Sequence, residues 1–377
     1  MIDPKSIKEI TPAYLNRVLS GHYGDICPRI VKLSRTTLQG GLISNLGGQI
    51  IRISLEYKRQ EQEDCPSTVI LKANPSDTTT YHSMLAQAQR SQSTISIPYI
   101  PNLKLNYREL MSYRYLPKHV NIGMPTIYHT TLDEANDRLW IIMEDLQGAL
   151  LLDADLSQKT WGEKWLLQAM EDLAQFHASW WNNAEAWKEC DWIFIDPPDW
   201  IQHTGVAIES NKNLHPRFIT DDRYKLLHKM LERLPSLVVE LSNKTTTLIH
   251  GDCSPRNACF QQKDGVYKLT LFDWSFTGVS HPGEDVSAFL LATLSPIKDW
   301  SLLSALLSHY FESIPSEVVK GSYEDFYRGV VLSALVGLCS KLMACAWGTP
   351  ESVGWLFQDL EHSLEFLEKT EPIWSDF

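Results

Sequence analysis

Thr247 to Trp274, TLIHGDCSPRNACFQQKDGVYKLTLFDW, is the stretch whose reading decides the fold. An apolar pair, Leu248 and Ile249, runs into a polar loop, His250-Gly251-Asp252, with Asn257 downstream. Beyond it, apolar residues flank Asp264-Gly265, a pair that tolerates the positive φ of a tight hairpin. Two short strands are therefore expected, the second including Leu269 to Trp274 and ending on Asp273. Such a ribbon would hold three groups together: Asp252 and Asn257 on the loop before it, and Asp273 at its exit.

A carboxylate, an amide and a second carboxylate in one cleft are what phosphoryl transfer from a nucleotide needs. Asn257 and Asp273 offer hard oxygen ligands suited to Mg²⁺, while Asp252, kept off the metal, can accept the proton of an attacking hydroxyl. Protein kinases write this as H-R-D-x-x-x-x-N followed by D-F-G; here it reads His250-Gly251-Asp252, Asn257 and Asp273-Trp274. With these residues the chain resembles the aminoglycoside phosphotransferase and choline kinase superfamily, and within it the ecdysteroid-kinase-like small-molecule kinases, which carry H-G-D-x-x-x-x-N and D-W. The resemblance implies an α+β, two-lobed, protein-kinase-like fold. A small antiparallel-sheet N-lobe, residues 1–147, would bind nucleotide, and a mainly helical C-lobe, residues 148–377, would carry the catalytic loop and the acceptor site.

Bulk properties agree with two lobes. At 377 residues the chain exceeds the usual single-domain size. With 44% hydrophobic and 21% charged residues it has the apolar mass for a core. A formal charge of -12 argues against nucleic acid or an anionic membrane as partner and mildly favours cationic or neutral substrates. Its 7 cysteines are scattered without a C-x-x-C, so neither a disulfide framework nor a zinc site is implied. The first residues, MIDPKSIKEI, lack a basic segment followed by an apolar one, so a cytoplasmic, reduced setting is expected. Val330 to Trp347 approaches the length of a membrane span, but Lys341 inside it favours a buried bundle helix.

Upstream, Thr11-Pro12 opens a helix with Leu15, Val18 and Leu19 on its apolar face, ended by Gly21 to Gly24. Strands are expected at Ile30 to Leu38 and Gln49 to Leu55, joined by a turn. That turn holds Gly40, Gly41, Ser44 and Asn45; by itself it is a Gly-Gly turn, and the resemblance makes it the flap over the nucleotide phosphates, where backbone freed of side chains approaches oxygen closely. Lys72 ends the short strand TVILK. Alone it reads as an edge charge; the resemblance places it on the phosphates, held by Glu109 from the helix LNYRELMSYRYL. Asn74 to Lys104, rich in Ser, Thr, Gln and Pro, reads as loop with a short helix. The strand LWIIMEDL, Leu139 to Leu146, resembles the hinge: the Glu144 carbonyl and Leu146 amide would meet adenine, with Met143 behind it.

After a boundary near Gly148, Lys164 to Trp181 places Leu166, Met170, Leu173, Phe176 and Trp180 on one helix face, with His177 read as a packed core histidine. Tryptophans gather around CDWIFIDPPDW, so Trp180, Trp181 and Trp192, with Asp191, form either an acceptor pocket or simply core. Arg256 is placed either on the γ-phosphate or at the surface. His250 and Asp285 are assigned to bracing the catalytic loop, Asp285 from a helix N-terminus. A last helix spans Val353 to Lys369.

The expected activity is ATP- and Mg²⁺-dependent transfer of the γ-phosphate to a hydroxyl of a small molecule. Family acceptors include natural products, amino alcohols, sugars and steroid-like alcohols, and the likeness to ecdysteroid-kinase-like members in YREL, MEDL and the Gly loop implies a natural product or lipid-like alcohol. The alternatives are a non-catalytic nucleotide-binding pseudokinase module and, with D-F-G and A-P-E missing, a protein Ser/Thr kinase. Oligomeric state is not legible.

Overall fold

The computed structural model describes residues 6–24, 26–38, 48–58, 65–76, 78–80, 82–83, 86, 104–147, 149–151, 161–194, 202–263, 265–294, 300–319, 321–347 and 350–375. Gly40, Gly41, Ser44, Asn45, Gly148 and Asp264 lie outside these residues.

The Thr11 side chain accepts a hydrogen bond from the Tyr14 N–H (3.2 Å) and Pro12 takes the first helical position, which starts helix α1 at Pro12–Tyr23. Gly24, at φ +62°, closes it. Strands β1 (Ile30–Thr37), β2 (Gln49–Tyr57) and β3 (Thr68–Asn74) follow, then helix α2 (Leu105–Tyr115) and strands β4 (Ile127–Asp133) and β5 (Arg138–Glu144). They form a five-stranded sheet in the order β1-β2-β3-β5-β4, with every neighbouring pair antiparallel.

Successive strand side chains point to opposite faces, and that alternation gives the sheet two apolar surfaces. Ile51, Ile53, Val69, Leu71 and Ile142 pack with Leu15, Val18 and Leu19 of α1. Ile70, Ile141 and Met143 belong instead to the large core shared with α2 and the helices beyond. β4 was not legible as a strand because Tyr128, His129, Thr130 and Thr131 blur the alternation; it is an edge strand whose residues are mostly half-buried.

Beyond the sheet come β6 (Leu150–Leu151), α3 (Glu163–Ala178), α4 (Ala184–Trp187), α5 (Thr204–Leu214), α6 (Asp221–Ser242) and β7 (Thr247–Ile249). The hairpin read from sequence is present as β8 (Ala258–Lys263) and β9 (Val266–Leu271), paired up to Lys263 and Val266, with Gly265 at φ +79° in the turn. β6 adds to this hairpin, and β10 (Gly278–Ser280) pairs with β7. Helices α7 (Gly283–Thr293), α8 (Trp300–Ser313), α9 (Tyr323–Trp347) and α10 (Pro350–Ser375) complete the fold. By length and composition Tyr323–Ala346 passes as a membrane span, yet 72% of its apolar window is buried inside the fold, as expected of a bundle helix.

Cys27 and Cys65 form a disulfide across 38 residues, with their Cα atoms 5.6 Å apart. The expectation of no disulfide is corrected: sequence spacing carried no sign that the segments before β1 and β3 lie side by side.

Candidate active site

The catalytic loop is shaped at its first residues. Gly251 has φ +80°, and a Cβ there would sit 2.2 Å from the Phe276 carbonyl oxygen, so glycine is required on both conformational and steric grounds. The His250 and Gly251 N–H groups donate to the two oxygens of Asp285 (2.7 and 2.9 Å), which sits in the first turn of α7. His177 Nε2 lies 3.2 Å from the same carboxylate, and its Nδ1 lies 2.7 Å from the Tyr310 hydroxyl. Burial opposes ionisation of Asp285, but His177, His250 and the backbone donors outweigh it and hold its pKa below the ordinary value. His177 is buried as expected, and the structure adds the partners that the sequence did not reveal. His250 Nε2 donates to the Phe272 carbonyl (3.0 Å), which leaves Nδ1 to accept the Asp252 N–H (3.3 Å). One imidazole tautomer thus satisfies both strands of the loop.

The three groups expected to meet do so. Asn257 Nδ2 donates to Asp252 Oδ2 (2.8 Å) and to the Asp252 carbonyl (3.0 Å), which assigns the Asn257 amide oxygen to any ligand. The Phe272 N–H donates to the Asn257 carbonyl (3.0 Å), fixing Asp273 beside the loop. Asp273 adopts a left-handed backbone, φ +65°, and donates its N–H to the Tyr113 hydroxyl (3.1 Å). Its Oδ1 lies 2.8 Å from Lys72 Nζ, and Lys72 Nζ lies 2.7 Å from Glu109 Oε1. Asn74 Nδ2 occupies the other Glu109 oxygen (2.8 Å). Burial disfavours the Lys72 charge, yet Asp273 and then Glu109 overcome it, so the ammonium stays protonated. The same pairing holds Asp273 below the ordinary carboxylate range despite its burial. Asp252 goes the other way: burial raises its pKa, Arg256 and His250 oppose that rise, and the charge of Asp273 adds to it.

Among the described residues no three or more His, Cys, Asp or Glu side chains are grouped to hold a metal. An ionised Asp273 and one amide oxygen are instead the donor set of a cation that completes its shell with water and substrate phosphates, as Mg²⁺ does.

Met143 is 8% exposed and faces the large core, and Glu144 pairs with Val69 at the end of β5. The Glu144 side chain accepts from the Thr126 N–H (2.9 Å) and from Gln261 of β8. Next to it, Asp145 takes a two-pronged ion pair from Arg52 of β2 (2.6 and 3.1 Å). Leu146 accepts the Ala149 N–H through its carbonyl (3.1 Å).

Trp180, Trp181 and Trp192 are all under 8% exposed and belong to the core, with Trp180 and Trp192 edge-on to Tyr115, while Asp191 is exposed. Arg256 is turned toward α10, its guanidinium over the Trp355 ring.

Sequence reasoning missed several residues. Arg108 binds the Trp192 carbonyl (3.1 Å) and the Ser275 carbonyl (2.9 Å), tying α2 to the segment after Asp273. Its position beside Glu109 was the available signal. Tyr113, one helical turn beyond Glu109, offered a similar clue. Arg52 offered none, since its partner Asp145 is remote in sequence.

A five-stranded sheet joined to a helical lobe, with Lys72, Glu109 and Asp273 linked to the Asp252 and Asn257 loop, defines a kinase-like phosphotransferase scaffold. The chain belongs to the phosphotransferase enzyme family, whose model matches residues 102–318. Solved structures share the fold: a microcompartment-associated aminopropanol kinase has TM-score 0.52 at 13% identity, over 96% of this chain and 98% of that one. A GDP complex of a mutant aminoglycoside 2'-phosphotransferase-IIIa has TM-score 0.51 at 13% identity, over 96% and 97%. A macrolide 2'-phosphotransferase type I has TM-score 0.50 at 14% identity, over 93% and 98%. No curated protein matches the sequence.

Proposed function

We propose that this chain is a small-molecule kinase that moves the γ-phosphate of ATP to a hydroxyl of an organic acceptor, with the nucleotide held between residues 1–147 and 148–377. The supporting observation is the unbroken set of contacts from Glu109 through Lys72 to Asp273, beside the loop on which Asn257 holds Asp252 at 2.8 Å. Lys72 is placed to grip the phosphates, and the Glu144 carbonyl and Leu146 amide to meet adenine with Met143 behind it. The family resemblance assigns the phosphate flap to Gly40, Gly41, Ser44 and Asn45. Asp273 and the Asn257 amide oxygen would hold Mg²⁺, which when bound neutralises phosphate charge. Asp252 orients the acceptor hydroxyl and takes its proton; its raised pKa makes it a better base than an ordinary carboxylate. Asp285 holds the loop that presents Asp252, and reaches it only through the His250 and Gly251 backbone.

Calorimetric titration with ATP, with and without Mg²⁺, tests the nucleotide half. A panel of alcohols, scored for ATP consumption and for phosphate on the product by mass spectrometry, tests the transfer. Tight binding that requires Mg²⁺ is expected; nucleotide binding indifferent to Mg²⁺, or none, would sink the reading.

A further inference from the structure

Cross-strand register sorts the inner surface of the sheet into rows. Ile51 and Ile53 pack on α1, so Arg52 between them points to the opposite face, the one on which Ile70 and Met143 join the large core. Arg52 stands opposite Ile70 and Ile70 opposite Met143, which makes one row across β2, β3 and β5. The next row runs Ile50, Lys72, Ile141. Of the two, the Arg52 row is nearer the hinge, since β5 ends at Glu144. Because β3 lies between β2 and β5, the guanidinium crosses the inner face of β3 to reach Asp145, its Nε 2.6 Å from Oδ2 and its Nη2 3.1 Å from Oδ1. Asp145 sits between Glu144 and Leu146, the two residues whose backbone is proposed to meet adenine.

The two partners of this ion pair are unequally covered. The Asp145 side chain is 4% exposed, whereas that of Arg52 is 33% exposed. The carboxylate takes the donor edge formed by Nε and Nη2, which fixes the guanidinium plane and leaves its flat surface available. A guanidinium held by its edge in this way is set to stack on an aromatic ring. Two strand residues at about 3.3 Å each separate the rows, so Arg52 lies about 7 Å along the sheet from Lys72. With Lys72 on the phosphates, the base end of a nucleotide that points to the hinge falls under the Arg52 row.

We propose that Arg52 is a nucleobase-binding residue, whose guanidinium, held edge-on by Asp145, stacks on the purine of the bound nucleotide and closes the sheet over it. This rests on the kinase reading above. Asp145 is a positioning residue: it fixes the tilt of the guanidinium and acts on the base only through Arg52. The face of an aromatic ring attracts positive charge, so the stack adds affinity for the base, while Lys72 holds the phosphates independently.

Calorimetry on the full chain with Mg²⁺ compares ATP with tripolyphosphate, which has the phosphates and no base. Arg52→Met should weaken ATP binding by about tenfold, one such factor being about 1.4 kcal/mol, and leave tripolyphosphate where it was. The double variant Arg52→Met with Asp145→Asn, which leaves no buried carboxylate unpaired, should show the same split and serves should the single variant fail to fold; thermal melts establish that each is folded. A crystal structure with a non-hydrolysable ATP analogue should place the Arg52 guanidinium within about 6 Å of the base centroid, and it decides the matter if tripolyphosphate binds too weakly to measure. ATP affinity unchanged or raised, ATP and tripolyphosphate weakened alike, or a guanidinium turned away from the base overturns the role of Arg52. Failure of the unaltered chain to bind ATP with Mg²⁺ overturns the kinase reading instead.

Discussion

The two flanks of the catalytic loop are built on opposite principles. On the sheet side, Glu109, Lys72 and Asp273 are matched within 2.7–2.8 Å and each charge has an opposite neighbour. On the α9–α10 side, Arg256, Lys341 and Asp359 lie near one another without a direct ion pair among the described residues, and two of them keep an unpartnered atom. A nucleotide is the same ligand in every turnover, so its electrostatics can be built into the fold in advance. Preorganised charge acts without reorganising at the moment of reaction, which is why the sheet side is the more rigidly satisfied of the two.

The largest expected effect separates the flanks by function. Asp252→Asn and Asp273→Asn should each lower kcat on the order of 10³- to 10⁴-fold, the upper reach of a lost base or charge clamp. They should part in nucleotide binding: calorimetry on Asp252→Asn should return nearly the native affinity for ATP with Mg²⁺, and Asp273→Asn should lose its dependence on Mg²⁺. Equal loss of binding in both would mean that the loop does not divide nucleotide from acceptor.

Stability gives a second contrast. Lys72→Met leaves the buried carboxylate of Glu109 and the half-buried one of Asp273 without their shared cation, which should cost about 3–5 kcal/mol in urea denaturation. The double variant Lys72→Met with Glu109→Gln should recover part of that loss. Lys341→Met removes one hydrogen bond to Ser363, and should cost only about 1 kcal/mol. Comparable losses from the two lysines would erase the distinction.

How much of this was legible depended on sequence distance. The Asp252, Asn257 and Asp273 constellation could be read because a single hairpin carries it, and Lys72 with Glu109 because their motifs recur in a recognisable order. α1 was legible to its caps, since Thr11, Pro12 and Gly24 each write a local rule. Tertiary partners were not. His177 looked like plain core until α7 and α8 delivered Asp285 and Tyr310 to its two nitrogens. Clustered tryptophans suggested a pocket, but a ring in a pocket and a ring in the core have the same sequence, and here Trp180, Trp181 and Trp192 are core. Lys341 stood out as a charge inside an apolar run, but its contact with Ser363 was not legible because two separate helices, α9 and α10, make it.

The smallest expected effect tests whether the flanks communicate through charge. Asp252, the proposed base, acts only when ionised, so kcat/KM should fall as pH drops through its pKa, which burial sets above the ordinary carboxylate value. Arg256 opposes that rise, and Asp273 reinforces it. Removing the guanidinium with Arg256→Met should therefore move the acid limb of the pH profile to higher pH, measured at saturating Mg²⁺. Glu209→Gln, at an exposed carboxylate that meets Tyr224 and His228, should leave the limb where it was. A limb that Arg256→Met moves to lower pH, or not at all, would show that the Arg256 charge does not tune Asp252.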